Sequence, residues 1–141
     1  MRKTAKYKLF KQMAGKGRFA HVILGVIYGE RETTISPSLK LIEASITDWI
    51  EAAKLGIQDT KDGLGIKGIS FEIEEIQWSY CDTDEATVRC AAACAAWRAC
   101  KPGEPEPTVE LNAQGNVIAV WPEQPSASLL EEDQANFWNL R

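Results

Sequence analysis

The segment that most constrains the fold is residues 86–99, which consist almost entirely of Ala, Cys, Val and Trp. Just before it, Asp82 followed by Glu85 resembles a capping box with aspartate at the cap, and Asp84 adds a charge that favours a helix N-terminus. A Lys-Pro-Gly sequence at 101–103 then ends the predicted helix. Because its side chains are so thin, we expect this helix to lie very close to a sheet or to a second helix.

A second helix is predicted from Thr47 or Asp48, either of which can cap it. Its apolar residues recur at helical spacing and form one stripe: Ile46, Trp49, Ile50, Ala53 and Ile57. Gly56 lies inside this helix, where it costs about 1 kcal/mol relative to alanine, so we expect it to pack against a neighbouring backbone. Gly63 and Gly65 are expected to end the helix.

The remaining periodic segments are typical of strands, predicted at residues 4–13, 19–28, 39–42 and 66–78, with a closing hairpin formed by 108–111 and 116–121. Residues 14–18 are expected to form a turn in which two glycines supply positive φ. Residues 19–28 are apolar on both faces, which predicts a central strand buried on both sides. The alternation in the last strand slips at Glu75, which predicts a β-bulge.

The composition is that of an ordinary globular domain. The chain has 141 residues, of which 45% are hydrophobic and 26% are charged. A chain of this size needs neither a disulfide nor a metal to fold, and it contains no apolar run as long as the ~20 residues of a membrane span. The basic N-terminus lacks the apolar stretch of a signal peptide. We therefore expect a cytoplasmic protein that does not enter a membrane.

The four cysteines fall within 20 residues. Cys90 and Cys94 would share a helix face, where a disulfide bridge is geometrically poor, so all four are interpreted as reduced thiols. A metal site is the more specific alternative, but there is no Cys-x-x-Cys pair and the single histidine, His21, is distant in sequence. Buried thiols on an alanine-rich face are the favoured interpretation, with no cofactor or metal expected.

The net charge of −4 conceals an asymmetry, because the first 18 residues hold seven basic residues and no acidic one. One interpretation is a footprint for an anionic partner, although the rest of the chain is strongly acidic and would oppose attraction to nucleic acid at long range. The other is an edge strand that its lysines guard against aggregation. The sequence favours neither over the other.

A catalytic interpretation lacks the necessary residues. A histidine-based triad must use His21, and nothing in the sequence places a nucleophile beside it. The Gly15-Lys16-Gly17 segment lacks the Walker spacing and joins two predicted strands rather than a strand and a helix. The paired acids Glu74 and Glu75 are adjacent in a strand and point to opposite faces. We therefore expect a protein that is not an enzyme.

Several motifs, in order, resemble domain IV of translation elongation factor G. Residues 11–22 (KQMAGKGRFAHV) are similar to the opening of that domain, where Gln and a Gly-Gly-basic-Gly run precede an aromatic residue and His-Val. Residues 49–57 (WIEAAKLGI) are similar to its first helix, with Gly56 on the family's glycine. Residues 82–85 (DTDE) stand where the family has Asp-Ser-Ser-Glu, followed by an alanine-rich helix. The resemblance covers about residues 7–101.

The resemblance implies an α+β fold like that of ribosomal protein S5 domain 2: a four-stranded sheet with two helices packed on one face and a left-handed crossover, which is rare. Residues 1–103 would form this domain, and residues 104–141 a C-terminal hairpin and an acidic tail that docks on it. Within the tail, a short terminal helix is expected from its large apolar residues: Leu129, Leu130, Phe137 and Trp138. The family's GTPase domain is absent from the chain, so neither nucleotide binding nor hydrolysis is carried over.

In the elongation factor the tip loops of this domain reach the decoding region and transfer RNA. One tip loop resembles residues 15–18, and the other, which usually has a histidine, here reads Ser79-Tyr80-Cys81 and has none. The leading hypothesis is therefore a non-enzymatic domain that binds structured or ribosomal RNA. The N-terminal basic residues, with Lys11, Lys16 and Arg18, would contact phosphate, and Phe19 or Tyr80 would stack on a base.

Two further hypotheses remain open. The first is a protein-interaction module, possibly self-associating, that uses an acidic sheet face and C-terminal aromatic residues: Glu72, Glu74, Trp121, Phe137 and Trp138. The second and weaker one is an enzyme on the same fold, because some small-molecule kinases share it. Only analogy of fold supports the enzyme, and the glycine-rich phosphate loop before a helix is missing.

Overall fold

The computed structural model describes residues 2–44 and 46–122. Their helices and strands are, in chain order, β1 (Arg2–Met13), β2 (Lys16–Tyr28), β3 (Ile35–Pro37), α1 (Leu39–Glu43), α2 (Thr47–Leu64), β4 (Ile69–Gln77), α3 (Glu85–Cys100), β5 (Thr108–Leu111) and β6 (Val117–Val120). A four-stranded sheet has the order β1-β2-β4-β3, and β5 and β6 form a separate pair. The chain is thus a mixed α+β fold, as expected. None of the helices in these ranges has the length and apolar character that crossing a bilayer requires.

Strands β1 and β2 form a long hairpin joined by a two-residue turn. Met13 pairs with Lys16, which leaves only Ala14 and Gly15 in the turn, with φ angles of 55° and 74°. Two positive φ angles give a connection whose twist matches that of the strands. The predicted five-residue turn is therefore too long, because Lys16, Gly17 and Arg18 already belong to β2 and only one of the two glycines has a positive φ.

The core lies on one face of the sheet, beneath α2 and α3. In β2, Ala20, Val22, Leu24 and Val26 are fully buried, whereas Ile23 on the other face is only half-buried. The prediction that this strand is buried on both sides was wrong, because no helix among residues 2–44 and 46–122 covers the second face. We call that second face the open face; β1 contributes its even-numbered residues to it and β2 its odd-numbered ones.

The segment predicted as a strand at 39–42 is helical instead. Ser38 caps α1 by accepting a hydrogen bond from the Leu41 backbone nitrogen at 3.3 Å. The edge strand is the preceding segment β3, which pairs in parallel with β4. The serine thus provides a helix start that the short apolar run did not reveal.

Helix α2 begins at Thr47, as predicted, but its cap position is Ile46, which has no side-chain capping hydrogen bond. Neither Thr47 nor Asp48 therefore acts as the cap. The helix ends at Leu64, and Gly65 follows in the left-handed conformation with φ 63°. Gly63 remains inside the helix, so only one of the two glycines ends it.

The N-cap of helix α3 lies two residues later than the predicted cap. Asp84, not Asp82, is the N-cap, and its Oδ1 accepts hydrogen bonds from the Thr87 backbone nitrogen at 2.8 Å and from the Thr87 hydroxyl at 2.7 Å. The helix body is buried, and it packs against α2 at Gly56. A Cβ at Gly56 would lie 3.0 Å from the Ala93 nitrogen and closer still to the Arg89 carbonyl oxygen. The predicted close packing is confirmed.

The bulge in β4 and the C-terminal hairpin are also confirmed. The β2–β4 register shifts between Ile23 and Leu24, which face Glu75 and Ile73, so that Glu74 is the extra residue. Strand β6 packs on α3, and just after it the Trp121 ring stacks on the Trp97 ring of α3, with centroids 5.4 Å apart. The predicted terminal helix and the docking of the tail lie outside the described residues, and the division of the chain at residue 103 stays a prediction.

Candidate nucleic-acid interface at the hairpin tip

The residues predicted to bind RNA lie near the β1–β2 tip but not on one surface. Lys11 and Lys16 are exposed, whereas Phe19 is half-buried. By strand alternation, Lys11 and Lys16 belong to the helix side of the hairpin, and Phe19 belongs to the open face. Tyr80 is 92% exposed in the loop between β4 and α3. The tip therefore presents lysines on one side and an aromatic ring on the other.

Hydrogen bonds fasten the Tyr80 loop to the start of β2. The Phe19 backbone nitrogen donates to the Asp82 carbonyl at 2.9 Å, and the Thr83 hydroxyl donates to the Phe19 carbonyl at 2.6 Å. The same hydroxyl accepts from the Ser79 nitrogen at 2.8 Å. These bonds hold the loop beside Lys16–Phe19, so the two loops that the sequence singled out are neighbours in space.

Arg18 differs from the two lysines because it is only 5% exposed. Its Nη1 lies 3.9 Å from Asp84 Oδ2 and 3.4 Å from the Gly115 carbonyl oxygen, in the turn between β5 and β6. Its Nε has no hydrogen-bond partner among the described residues. A buried guanidinium offers no surface to a phosphate, so the geometry assigns Arg18 to the junction between the tip, α3 and the C-terminal hairpin.

Asp84 lies at the centre of the charges on the helix side of the tip. Partial burial alone would raise the pKa of its carboxyl, but hydrogen bonds from Thr87 and the positive charges of Lys16 and Arg18 lower that pKa below its ordinary value. The Lys16 Nζ lies 3.6 Å from Asp84 Oδ2, with both side chains partly exposed. Solvent screens a pair of this kind, so Lys16 keeps much of its ability to attract an anion.

A second aromatic surface adjoins Tyr80. Tyr80 and the Trp49 and Trp78 side chains line a groove of about 600 Å³ between the start of α2 and the end of β4. The two tryptophan rings lie 6.0 Å apart, and Trp78 is 44% exposed. The charged residue that lines this groove is Asp48, whose carboxylate would repel an anion. The groove is therefore suited to an apolar ligand rather than to an anion.

Phe10, which was not among the residues predicted to bind, is 71% exposed on the open face. The Phe10 ring meets the Phe19 ring edge to face, with centroids 6.0 Å apart. The alternation of β1 carries the signal that could have found it, because Phe10 shares its phase with Lys6 and Lys8 rather than with the buried Leu9.

The acidic part of the open face is paired with basic residues. Arg2 contacts Glu72 at 2.7 Å and also contacts Glu74, across Gly25. Glu75 accepts a hydrogen bond from Gln77, which lowers the pKa of the Glu75 carboxyl, and the nearby charge of Lys40 adds to the effect. The surface predicted as a wet acidic interface is therefore largely neutralised within the chain.

Comparisons with known proteins give a likeness of fold. No family model matches the chain, and no curated protein matches it. Solved structures do, among them the crystal structure of ttk003000868 from Thermus thermophilus, with a TM-score of 0.56 and 20% identity. The match covers 67% of this chain but only 15% of the Thermus protein, so the chain spans a small part of that protein's length. At this identity the likeness concerns the fold alone.

Proposed function

We propose that the chain is a non-enzymatic binding domain that contacts structured or ribosomal RNA through its β1–β2 tip. The observation that carries this proposal is the exposure of Lys11, Lys16 and Tyr80 around one hairpin end, where two loops are hydrogen-bonded together. Lysines supply phosphate contacts, and an exposed tyrosine supplies a ring for stacking. Arg18 has a structural role in this proposal because it is buried.

The fold assignment is part of the same proposal. We propose the arrangement of ribosomal protein S5 domain 2, as in domain IV of elongation factor G, with a left-handed crossover from β3 through α1 and α2 to β4. The strand order β1-β2-β4-β3, with β3 parallel to β4, supports it. The order of the sequence motifs from the Gly-Lys-Gly segment to the alanine-rich helix supports it independently.

The charge distribution limits the size of the RNA footprint. The chain carries a net charge of −4, and the four exposed lysines of the hairpin nearest to the tip are Lys6 and Lys8 on the open face and Lys11 and Lys16 on the helix side. About four phosphate contacts predict that binding weakens about 50- to 150-fold between about 50 and 200 mM salt. Removal of two of them would reduce this salt dependence to about 10-fold.

The test is co-sedimentation with purified ribosomal subunits across that salt range. We expect the Lys11→Glu/Lys16→Glu variant to bind weakly and with the reduced salt dependence. A matched control is Lys61→Glu/Lys67→Glu, which makes the same change in net charge at the far end of α2 and should bind as the original protein does. Binding that does not depend on salt, or equal losses in both variants, would contradict the proposal.

The alternative is a protein-interaction module, with another protein or a second copy of the chain as partner. The observation that favours it is a groove of about 630 Å³ between α2, α3 and the β5–β6 hairpin, in which Leu55 and Ile118 are 50% and 37% exposed. Trp121 lines the same groove while its ring stacks on Trp97. Sedimentation velocity of the chain and of Leu55→Glu tests self-association, because a charge in the groove should dissociate any complex formed there.

A further inference from the structure

The open face near the tip carries an aromatic side chain that the core does not use. Phe10 is 71% exposed although it lies within a strand, and its contact with Phe19 fixes the ring edge to face. A large apolar ring that is this exposed contributes little to the stability of the fold. Its fixed orientation leaves a ring surface available to a flat, apolar partner.

Basic side chains flank this ring on the same face. Lys6 and Lys8 precede Phe10 at alternate positions of β1, and His21 lies opposite Lys8 on β2. Alternate residues of a strand are about 7 Å apart, so the three β1 side chains form a row of about 14 Å. A ring aligned with two cations suits a ligand that has both flat bases and regularly spaced anionic groups.

Acidic residues limit the row at both ends. Toward the tip, Asp82 lies beside Gly17, where an added Cβ would be 3.0 Å from Asp82 Oδ1. At the other end Glu75 faces Ile23 and is engaged by Gln77 and Lys40. Between these limits, none of the residues that β1 and β2 contribute to the open face is acidic. The positive charges of this face therefore attract a negatively charged ligand chain along β1 over this short length.

The edge of β1 itself is partly occupied. Arg98 Nη1 donates a hydrogen bond to the Lys6 carbonyl at 2.8 Å, and the Arg98 guanidinium lies 4.7 Å from the centroid of the Tyr7 ring. A peptide that added itself to this edge as a further strand would have to displace that contact. The side chains of the open face, rather than the backbone edge, are therefore the accessible feature of this strand.

We propose that single-stranded RNA lies along β1 on the open face, with one base stacked on Phe10 and with phosphates at Lys6 and Lys8. This inference rests on the proposed RNA-binding function and specifies the form of the RNA. It also adds Phe10 as a stacking site on the open face, opposite to Lys11 and Lys16 and beside two of the lysines already counted as phosphate contacts. Exposed aromatic residues on a sheet, flanked by cations, bind unpaired bases because a base must leave its helix to stack on a side chain.

The test measures fluorescence anisotropy of a labelled oligouridine of about 12 nucleotides and of an RNA duplex of the same length. We expect the oligouridine to bind more tightly, and Phe10→Ala to weaken its binding about 5- to 150-fold. Phe10→Tyr should retain binding because the ring is kept. Leu39→Ala is the matched control, since Leu39 is 69% exposed but follows β3 at the opposite edge of the sheet.

The two proposals fail in distinguishable ways. If RNA binding depends on Lys11 and Lys16 but Phe10→Ala binds oligouridine as the original chain does, the open-face inference is overturned and the tip proposal stands. Tighter binding of the duplex than of the oligouridine also overturns it. If neither RNA binds and ribosomal subunits do not co-sediment, both proposals are overturned. Circular dichroism of Phe10→Ala separates a lost contact from a lost fold.

Discussion

Alanine at Gly56 would force apart the two long helices that cover the sheet. A Cβ at this position would meet the backbone of α3, at 3.0 Å from the Ala93 nitrogen and closer to the Arg89 carbonyl oxygen. Backbone atoms cannot rotate away as a flexible side chain can. The helices must therefore move apart by about 1 Å to restore ordinary contact distances.

The cost follows from three contributions to the free energy of unfolding. Alanine is favoured over glycine in a helix by about 1 kcal/mol, which stabilises the variant. Overpacking a core costs about 1–3 kcal/mol. The separation also stretches the buried hydrogen bond from the Thr60 hydroxyl to the Ala93 carbonyl, now 2.8 Å, whose loss costs about 1–3 kcal/mol. We expect a net destabilisation of about 3 kcal/mol.

Urea unfolding followed by circular dichroism measures this change, and thermal unfolding should show a Tm lower by about 10 °C for a chain of this length. Gly63→Ala is the matched control in the same helix. Its nearest neighbour would be Trp121 Nε1 at 3.5 Å, which is an ordinary contact, so we expect unchanged stability or a gain of up to about 1 kcal/mol. If Gly56→Ala is as stable as the original protein, the close approach of α2 and α3 does not limit stability, and the reasoning is refuted.

The remaining predictions concern the α3 cap and the thiols. Asp84→Ala should cost at least about 1 kcal/mol, because it removes both the N-cap and the carboxylate that faces the buried Arg18. Because the folded-state pKa of Asp84 is lowered, its contribution is present above the ordinary value of 3.8 and is lost as pH falls through the lower folded value. Acid unfolding of the original protein should show this loss, and a variant with an identical acid profile would contradict it. Cys81 is exposed, whereas Cys90 is buried and its pKa is raised by its hydrogen bond with Cys94 and by burial. Titration of the native protein with a disulfide reagent should therefore show a fast phase that Cys81→Ser removes; if the fast phase persists in that variant, one of the other three thiols reacts fast and the prediction is wrong.

The sequence by itself determined the elements whose signal is local. The alternation in β1, the slip at Glu75 and the alanine-rich run before a Lys-Pro-Gly stop predicted strand, bulge and helix in the places where they occur. Gly56 could be assigned to close packing because a glycine inside a helix has a cost that only a neighbour can offset. The prediction that the β1–β2 tip and the Tyr80 loop belong to one surface came from the resemblance in the order of the motifs, and not from periodicity.

Only the tertiary structure decided which side of each strand is covered. An apolar run such as β2 has the same pattern whether helices cover one face or both, so its half-exposed second face could not be predicted. Arg18 and Lys16 have similar chemistry and are two residues apart, yet one is buried against Asp84 and the other is exposed. That difference depends on α3 and the β5–β6 turn, about 65 and 100 residues further along the chain. Phe10 is exposed for the same kind of reason, since the described remainder of the chain leaves most of its side chain uncovered on the open face.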